Sequence, residues 1–226
     1  MKILVVAAHP DDEVLGCGGT LARLSQEGHT VHTLFLADGE SSRTTGKKTA
    51  SSKLMHERKK AADRAKQILG CSSIEFCNLM DNRLDGIDLL DIVKIVEKYI
   101  HRYSPELVFT HHAGDLNIDH RIAHEAVITA CRPQPGNSVK ELLFFEIPSS
   151  TEWCPPNSHK IFTPTVFVDI SSTISDKLKA LQAYENEMRH FPHPRSIEAV
   201  EALTRWRGAT IGVPAAEAYI LGRKII

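Results

Sequence analysis

Residues 3–13 read ILVVAAHPDDE, an apolar run followed by a polar, acidic segment. Its apolar, β-branched part, Ile3–Ala7, is typical of a buried strand. Pro10 lacks the N–H that a strand would donate and favours an extended residue before it, so the strand should end near His9. Three acids follow, and the amphipathic segment Val14–Leu24 then predicts a helix. In open α/β sheets, ligands bind at this carboxyl edge of the strands.

The composition favours one globular unit that acts on small molecules. The chain has 226 residues, 42% of them hydrophobic and 24% charged, which predicts a single domain, residues 1–226, with a sizeable core. The formal net charge is -1 with acids and bases mixed, so neither a nucleic-acid partner nor an acidic membrane surface is supported. The absence of a signal sequence and of a membrane-spanning apolar run predicts a soluble, cytoplasmic protein. Five cysteines without a C-x-x-C pair favour reduced thiols, which agrees with that compartment.

Strand-like and helix-like segments alternate along the chain. The predicted strands are Ile3–Ala7, Thr30–Ala37, Ile74–Cys77, Leu107–Thr110, Glu141–Glu146 and Thr165–Asp169. The predicted helices are Val14–Leu24, Lys53–Leu69, Leu89–Tyr103, a segment from about Asp119 to Ala130, Ile174–Met188 and Ile197–Arg207. This alternation predicts an α/β fold, a Rossmann-like, mostly parallel sheet with helices on both faces. The loops after the first and fourth strands can converge at the switch point of such a sheet. A polar loop between Ser41 and Ser52 is expected at the edge of the site.

Two polar clusters follow predicted strands. In the first, His9 and Asp12 lie three positions apart on a tight turn and can point at one divalent cation. The alternative is that the acids of this turn cap the helix and complement its dipole. The second cluster, residues 111–125, reads HHAGDLNIDHRIAHE, with three histidines and two acids in its first ten positions. His120 and His124 are four apart, share one helix face and can in principle both bind metal.

The sequence HPDDE at 9–13, placed after a first strand, resembles the signature of the PIG-L/LmbE family of zinc-dependent N-acetylsugar deacetylases. The runs HPRS at 193–196 and AEAY at 216–219 also resemble bacterial family members, so the resemblance covers nearly the whole chain. It implies a hydrolase that removes the acetyl group from an N-acetylated amino sugar or glycoconjugate. Two other classes stay open, namely a zinc hydrolase of another amide or ester, and a metal- or sugar-binding module that has lost its chemistry. A homo-oligomer is also left open.

The resemblance implies a metal site made by His9, Asp12 and His120, with zinc as the expected cofactor and another divalent metal as the alternative. Three protein ligands and an open fourth position are typical of a catalytic zinc site. Asp119 is then expected to orient an imidazole by a hydrogen bond, as metal-bound histidine usually requires. The family gives no ligand role to His124, which is expected to support the site or pack nearby.

Asp11, between two of these ligands, is expected to be the general base. It would accept the proton of a zinc-activated water that attacks the acetamide carbonyl. The resemblance also implies that Arg58 and Asp81 bind the substrate. The alternative for Arg58 is an ordinary solvated charge on a helix. The alternative for Asp81 is a turn-stabilising residue.

Asn117 marks a departure from the family pattern. Many relatives have a histidine at this place, two residues before the Asp of the pair Asp119-His120, and that histidine is credited with stabilising the oxyanion or with general-acid work. Either Asn117 takes this role as a neutral hydrogen-bond donor, or another group supplies it. His193, which lies between two prolines of a predicted loop, is the second candidate for it. A loop histidine without a catalytic role is the alternative there.

Overall fold

The chain folds into a seven-stranded sheet with helices on both faces. The structure is a computed structural model that describes residues 1–41, 52–155 and 161–226, so most of the loop predicted between Ser41 and Ser52 lies outside the described residues. The strands are β1 (Lys2–Ala7), β2 (Thr30–Ala37), β3 (Ser73–Leu79), β4 (Leu107–His111), β5 (Glu141–Phe145), β6 (Val166–Asp169) and β7 (Ala216–Lys224). The helices are α1 (Asp12–Gln26), α2 (Ser52–Leu69), α3 (Leu89–Tyr103), α4 (Ile118–Ala130), α5 (Ile174–Ala183) and α6 (Ile197–Ala209). Among the described residues, no helix combines the length and the apolar character needed to cross a membrane.

The strand order is β3-β2-β1-β4-β5-β7-β6. β1 pairs in parallel with β2 on one side and with β4 on the other, so the direction of winding reverses between β1 and β4. This is the topological switch point, the place where α/β sheets bind ligands. The loops that follow β1 and β4 lie side by side there. The mostly parallel, Rossmann-like sheet predicted from the sequence is confirmed.

Both faces of β1 are buried. Ile3, Val5 and Ala7 pack in one hydrophobic cluster with residues of α1, α2, α5 and α6. Leu4 and Val6 pack in a second cluster with residues of α3 and α4. Complete burial of a side chain such as Val, Leu or Ile contributes roughly 1.5–3 kcal/mol. Because both faces contribute, the strand reads as a continuous apolar run, and it anchors the polar loop that follows it.

α5 is shorter than the sequence predicts. The pattern extends the helix to Met188, but α5 ends at Ala183. The next residue, Tyr184, is buried, and its hydroxyl donates a hydrogen bond to Oε1 of Glu13 at 2.7 Å. The chain after α5 therefore runs toward the loop that follows β1 instead of continuing along the helix.

β7 has no counterpart among the predicted strands. It pairs antiparallel with both β5 and β6. Its Glu217 is buried and accepts hydrogen bonds from the backbone N–H groups of Gly19 and Thr20, at 2.9 and 2.7 Å. These N–H groups begin the second part of α1, which is kinked at Cys17. A buried acid interrupts the apolar pattern of the segment, so it does not read as a core strand.

Candidate metal centre and active-site cleft

His9, Asp12 and His120 meet at the switch point. His9 follows β1, Asp12 is the first residue of α1, and His120 lies in the first turn of α4. Oδ2 of Asp12 lies 3.2 Å from Nδ1 of His9 and 3.3 Å from Nε2 of His120. One ligand atom from each residue lies within 4.8 Å of the others, and all three side chains are buried. We call these three residues the His–Asp–His cluster.

The cluster contains buried polar atoms that lack hydrogen bonds. Within the described part of the chain, Oδ1 of Asp12 and both ring nitrogens of His120 make no hydrogen bond of acceptable geometry. Buried polar atoms rarely stay unpaired in folded proteins. Two imidazoles and a carboxylate are a ligand set that zinc commonly takes, and other divalent transition metals also accept it. The residues present therefore fit a divalent cation.

Negative charge surrounds both imidazoles of the cluster. Burial opposes protonation of His120, but Asp12 and Asp115 beside it raise its pKa to about 9. Burial likewise opposes the charged form of His9, but hydrogen bonds led by those to Asp119 and Asp12 raise its pKa well above the usual range. A site that favours protons in this way also favours a metal cation, whose binding would release those protons.

Each imidazole also faces a carboxylate through its other nitrogen. Nδ1 of His120 lies 3.1 Å from Oδ1 of Asp115, and Nε2 of His9 lies 3.1 Å from Oδ2 of Asp119. Carboxylates at this position fix the ring and the tautomer of a metal-bound histidine. Asp119 thus contacts His9, and Asp115 is the carboxylate beside His120. Asp115 is not among the site residues predicted from the sequence, although it lies in the same histidine-rich run, because nothing in the spacing distinguishes it from its neighbours.

Loops from further strands hold these two carboxylates. Asp115 accepts a hydrogen bond from Oγ1 of Thr151 at 2.7 Å, in the loop after β5. Asp119 accepts the backbone N–H groups of Asn82 and Leu84 at 2.7 and 3.0 Å, in the segment after β3. The segments after β1, β3, β4 and β5 therefore all contribute to the surroundings of the cluster.

Asp11 lies beside the cluster in an unusual backbone conformation. Its φ is 125°, a value that residues other than glycine rarely adopt and that is often found at functional sites. Its N–H donates to Oε2 of Glu13 at 3.0 Å, and its own Oδ2 accepts a hydrogen bond from Nη1 of Arg195 at 3.0 Å. Burial raises the pKa of Asp11 to about 6, against the opposing effect of Arg195. A carboxylate with this pKa can exchange a proton near neutral pH, which suits a general base.

A cleft of about 170 Å³ opens over His9 and Asp11. Its lining residues are His9, Asp11, Gly39, Arg58, Asp81, Asn82, Asn117, Glu187 and Arg195. Apart from the glycine, each of these carries a polar or charged side chain, so the cleft suits a ligand rich in hydroxyl or charged groups. Five residues singled out from the sequence are brought together there, namely His9, Asp11, Arg58, Asp81 and Asn117.

Asn117 lines the cleft and also caps α4. Its Oδ1 accepts the backbone N–H of Asp119 at 2.8 Å, a typical N-cap bond. Because a backbone N–H can only donate, the bonded atom must be the oxygen of the amide. The amide nitrogen is then the atom that can donate a hydrogen bond to a ligand.

Arg58 is buried, and its guanidinium is bonded to the protein. Only 6% of the residue is exposed, so the alternative of an ordinary solvated helix charge is wrong. Nε donates to Oε1 of Glu40 at 3.0 Å, and Nη1 donates to the backbone oxygen of Pro10 at 3.0 Å. Nη2 lies 3.2 Å from Oε1 of Glu187. Arg58 therefore joins the loops after β1 and β2 to the segment after α5 while it lines the cleft.

Asp81 lies between the cleft and the cluster. Its Oδ1 lies 2.9 Å from Nε2 of His9 and accepts a hydrogen bond from Nδ2 of Asn82 at 3.0 Å. The contact with Asn82 is the one expected of a turn-stabilising Asp. The position at the cleft is the one expected of a residue that binds substrate. The carboxylate of Asp81 is therefore placed both to stabilise the turn and to contact a ligand in the cleft.

His111, His124 and His193 lie outside the cluster. Nε2 of His111 accepts the N–H of Ala8 at 2.8 Å, and burial lowers the pKa of this imidazole well below its usual range. Nδ1 of His124 lies 2.9 Å from the backbone oxygen of His111, and its ring contacts that of Phe144. Nδ1 of His193 accepts the N–H of Arg195 at 3.0 Å. His193 is not among the described residues that line the cleft.

The sheet, the cluster at its switch point and the polar cleft together describe an α/β enzyme whose site can hold a metal. The chain belongs to the PIG-L family, because the family model described as GlcNAc-PI de-N-acetylase matches residues 4–131. The matched residues run from β1 through α4 and include the whole His–Asp–His cluster. The family predicted from HPDDE is thus confirmed, and so is the prediction that the protein is an enzyme.

Individual proteins agree with this assignment. The chain is 31% identical over 190 residues to the uncharacterized deacetylase YaiS of Escherichia coli, with 81% of this chain and 90% of that protein covered. It is 30% identical over 194 residues to the 4-oxalmesaconate hydratase of Pseudomonas putida, with 79% and 71% covered. The crystal structure of the conserved protein TT1542 from Thermus thermophilus superposes with a TM-score of 0.78 at 30% identity and covers 99% of this chain and 96% of its own. The α/β fold is therefore shared with TT1542 over nearly the whole chain.

Proposed function

We propose that the protein is a metal-dependent N-deacetylase that hydrolyses the acetamide of an N-acetylated amino sugar or glycoconjugate. The observation that carries the proposal is the buried His–Asp–His cluster, with Asp11 beside it, below a cleft lined by polar side chains. The family description, GlcNAc-PI de-N-acetylase, supports the reaction and the sugar. Zinc is the proposed cofactor and another divalent metal is the alternative, since the ligands are two imidazoles and one carboxylate.

His9, Asp12 and His120 would hold the cation. A divalent cation there supplies Lewis-acid activation of water and of the acetamide carbonyl at neutral pH. Asp11 would accept a proton from the water as the water oxygen bonds to the carbonyl carbon. The C–N bond then breaks as the amine nitrogen takes up a proton, for which protonated Asp11 is the proposed donor. Acetate and a free amino sugar are the products.

Other cleft residues would bind the substrate. Nδ2 of Asn117 would donate a hydrogen bond to the carbonyl oxygen as that oxygen gains negative charge. Asp81 and Arg58, which line the cleft, would bind sugar hydroxyl groups. His193 is not among the described residues that line the cleft. The geometry therefore favours Asn117 over His193 for this role.

We also propose that one domain carries the whole site. A single sheet takes strands from Lys2–Ala7 to Ala216–Lys224. Asp11, near one end of the chain, and Arg195, near the other, line the same cleft. These contacts support the single domain predicted from the sequence.

Release of acetate tests the proposal. The zinc-loaded protein is incubated with N-acetylglucosamine, its glycosides and N,N'-diacetylchitobiose, and separately with an acetylated non-sugar amine and an acetyl ester. Acetate and free amine are both quantified, with and without a chelator. We expect release from a sugar substrate that stops with the chelator and in His120→Ala but continues in His124→Ala. Release from the non-sugar amide or ester alone would overturn the sugar specificity, and no release from a protein with full zinc would favour a binding module.

A hydratase is the second candidate, because the Pseudomonas putida relative carries that activity in its name. Arg58 and Arg195 line the cleft, and guanidinium groups bind carboxylates well. An unsaturated acid bound there would share these groups with the carboxylates of Asp11 and Glu187. The ultraviolet absorbance of conjugated unsaturated dicarboxylic acids falls when water adds to the double bond. A metal-dependent fall in absorbance, without acetate release from any amide, would replace the deacetylase proposal.

A further inference from the structure

Arg195 reaches the cleft from a part of the chain that the family model does not match. It lies between α5 and α6, beyond residue 131, where the match ends. Its Nη1 donates to Oδ2 of Asp11 at 3.0 Å, and its Nε donates to Oγ of Ser149 at 2.8 Å. The side chain of Arg195 is 20% exposed and that of Asp11 is 3% exposed, so the pair is largely shielded from water. Hydrogen bonds between charged groups are strong in such surroundings.

The loop that carries Arg195 is itself held by hydrogen bonds. The backbone N–H of Arg195 donates to Nδ1 of His193 at 3.0 Å. Its backbone oxygen accepts the N–H of Arg189 at 3.3 Å. Oγ of Ser196 accepts the N–H of Ala199 at 3.1 Å and so caps α6. The run HPRS therefore has a physical explanation, since its histidine and its serine fix the backbone on either side of the arginine.

We propose that Arg195 is a positioning residue that fixes the carboxylate of Asp11 relative to the reacting water. The inference rests on the proposed function, in which Asp11 accepts the proton of that water. Nη1 of Arg195 and Nη1 of Arg58 both approach Oδ2 of Asp11, at 3.0 and 3.8 Å. With Oδ2 bonded in this way, Oδ1 is the oxygen that accepts the proton as the water O–H bond breaks and the new C–O bond forms. Fixed orientation of a reacting group is a large part of the advantage of an enzyme site.

Two features of the guanidinium matter for this role. It is planar, and its Nε and Nη1 donors point in fixed directions, one to Ser149 after β5 and one to Asp11 after β1. A lysine in the same place would supply a charge but not two donors in one plane. The prediction is therefore specific to arginine and can be separated from a general effect of positive charge.

Steady-state kinetics of acetate release by zinc-loaded Arg195→Ala test the proposal. We expect kcat to fall about 10- to 100-fold, the range for loss of a hydrogen bond between charged groups, while KM and zinc content stay close to those of the unmodified protein. Millimolar guanidinium chloride should restore part of kcat, because the free ion supplies the missing donors. Arg189→Ala is the matched control, since Nη1 of Arg189 bonds only to backbone oxygens of its own segment among the described contacts. It should keep kcat and show no response to guanidinium.

Several results would overturn the proposal. If the unmodified protein releases acetate and Arg195→Ala has the same kcat, the positioning role is wrong and the deacetylase proposal stands. A higher KM with unchanged kcat would make Arg195 a substrate-binding residue instead. If the unmodified protein releases no acetate, both proposals fall together. If circular dichroism shows that Arg195→Ala does not fold, Arg195→Lys takes its place, and an unchanged kcat in that variant overturns the role.

Discussion

The His–Asp–His cluster and the rim of the cleft are built in different ways. The cluster takes its three ligands from the segments that follow β1 and β4, two strands that pair directly. By the rim we mean Arg58, Asp81, Glu187 and Arg195, which come from α2, the segment after β3 and the long connection between α5 and α6. The topology of the sheet therefore places the cluster, whereas long charged side chains that reach across the cleft assemble much of the rim.

The two regions also differ in charge. In the cluster, carboxylates lie against imidazoles, and this arrangement suits a cation. In the rim, the guanidinium groups of Arg58 and Arg195 lie around the carboxylate of Asp11. A substitution in the cluster should therefore change the metal content. A substitution in or beside the rim should change turnover or substrate binding while the metal stays bound.

The largest effect is expected from a ligand of the cluster. His120→Ala should remove most of the bound zinc and with it the activity, because two protein ligands hold a catalytic zinc ion much more weakly than three. His124→Ala is the matched control, since this histidine lies on the same helix and bonds to a backbone oxygen instead. Elemental analysis after dialysis measures both. Full zinc in His120→Ala together with a metal-free His124→Ala would show that the ligand assignment is wrong.

The next largest effect is expected at Asp11, between the two regions. Asp11→Asn should reduce turnover by about 10²–10⁴-fold, the usual contribution of general acid–base catalysis. The amide oxygen can still accept the hydrogen bond from Arg195, so the geometry is kept and only the ability to take a proton is lost. Zinc content should stay near that of the unmodified protein. Activity and zinc are measured on one sample. Retained turnover would remove the base assignment, and lost zinc would place Asp11 among the metal ligands.

The cluster could be predicted because its residues follow strands that are easy to recognise, and because two of them, His9 and Asp12, are close in the sequence. The run from Ile3 to Ala7 indicates where β1 ends, and the spacing of His9 and Asp12 on the turn then points to a metal. The alternation of strands and helices predicts the parallel sheet, and the parallel sheet brings His120 to the same edge. Local pattern and topology account for where these residues meet, whereas the choice of His120 over His124 depends on the resemblance to the family.

The rim and β7 could not be predicted in this way. Arg195 and Asp11 are 184 residues apart, and no local pattern tells which of many arginines will meet a given acid. β7 is not predicted as a strand because the buried acid Glu217 interrupts the apolar alternation of its segment. Asp115 lies in the histidine-rich run at 111–125, but the sequence does not distinguish it from its neighbours. Its partners depend on where the loop after β5 brings Thr151.

A smaller effect than that of Asp11 is expected at Asp115, which supports the cluster without belonging to it. Asp115→Asn removes the negative charge 3.1 Å from Nδ1 of His120. Loss of such an outer carboxylate typically weakens metal binding 10–100-fold. Competition with a chelating dye measures the zinc affinity. Glu125→Gln, at an exposed acid of α4, the helix that carries His120, is the control and should leave the affinity unchanged. Equal affinities in the two variants would mean that Asp115 only anchors its loop.

The smallest effect is expected at Asp81, which belongs to the rim but also contacts His9 of the cluster. Asp81→Ala should lower kcat/KM about two- to tenfold, because a hydrogen bond to a sugar hydroxyl contributes about 0.5–1.5 kcal/mol. Zinc should be retained, since Asp119 still contacts Nε2 of His9 at 3.1 Å after Asp81 is removed. Asp85→Ala, at an exposed acid of the same segment, is the control.

If Asp81→Ala loses zinc, its carboxylate supports the cluster through the 2.9 Å contact with His9, and it does not belong to the rim. If neither zinc nor kcat/KM changes, the contact with Asn82 is its role, and the sugar is bound by other residues of the cleft.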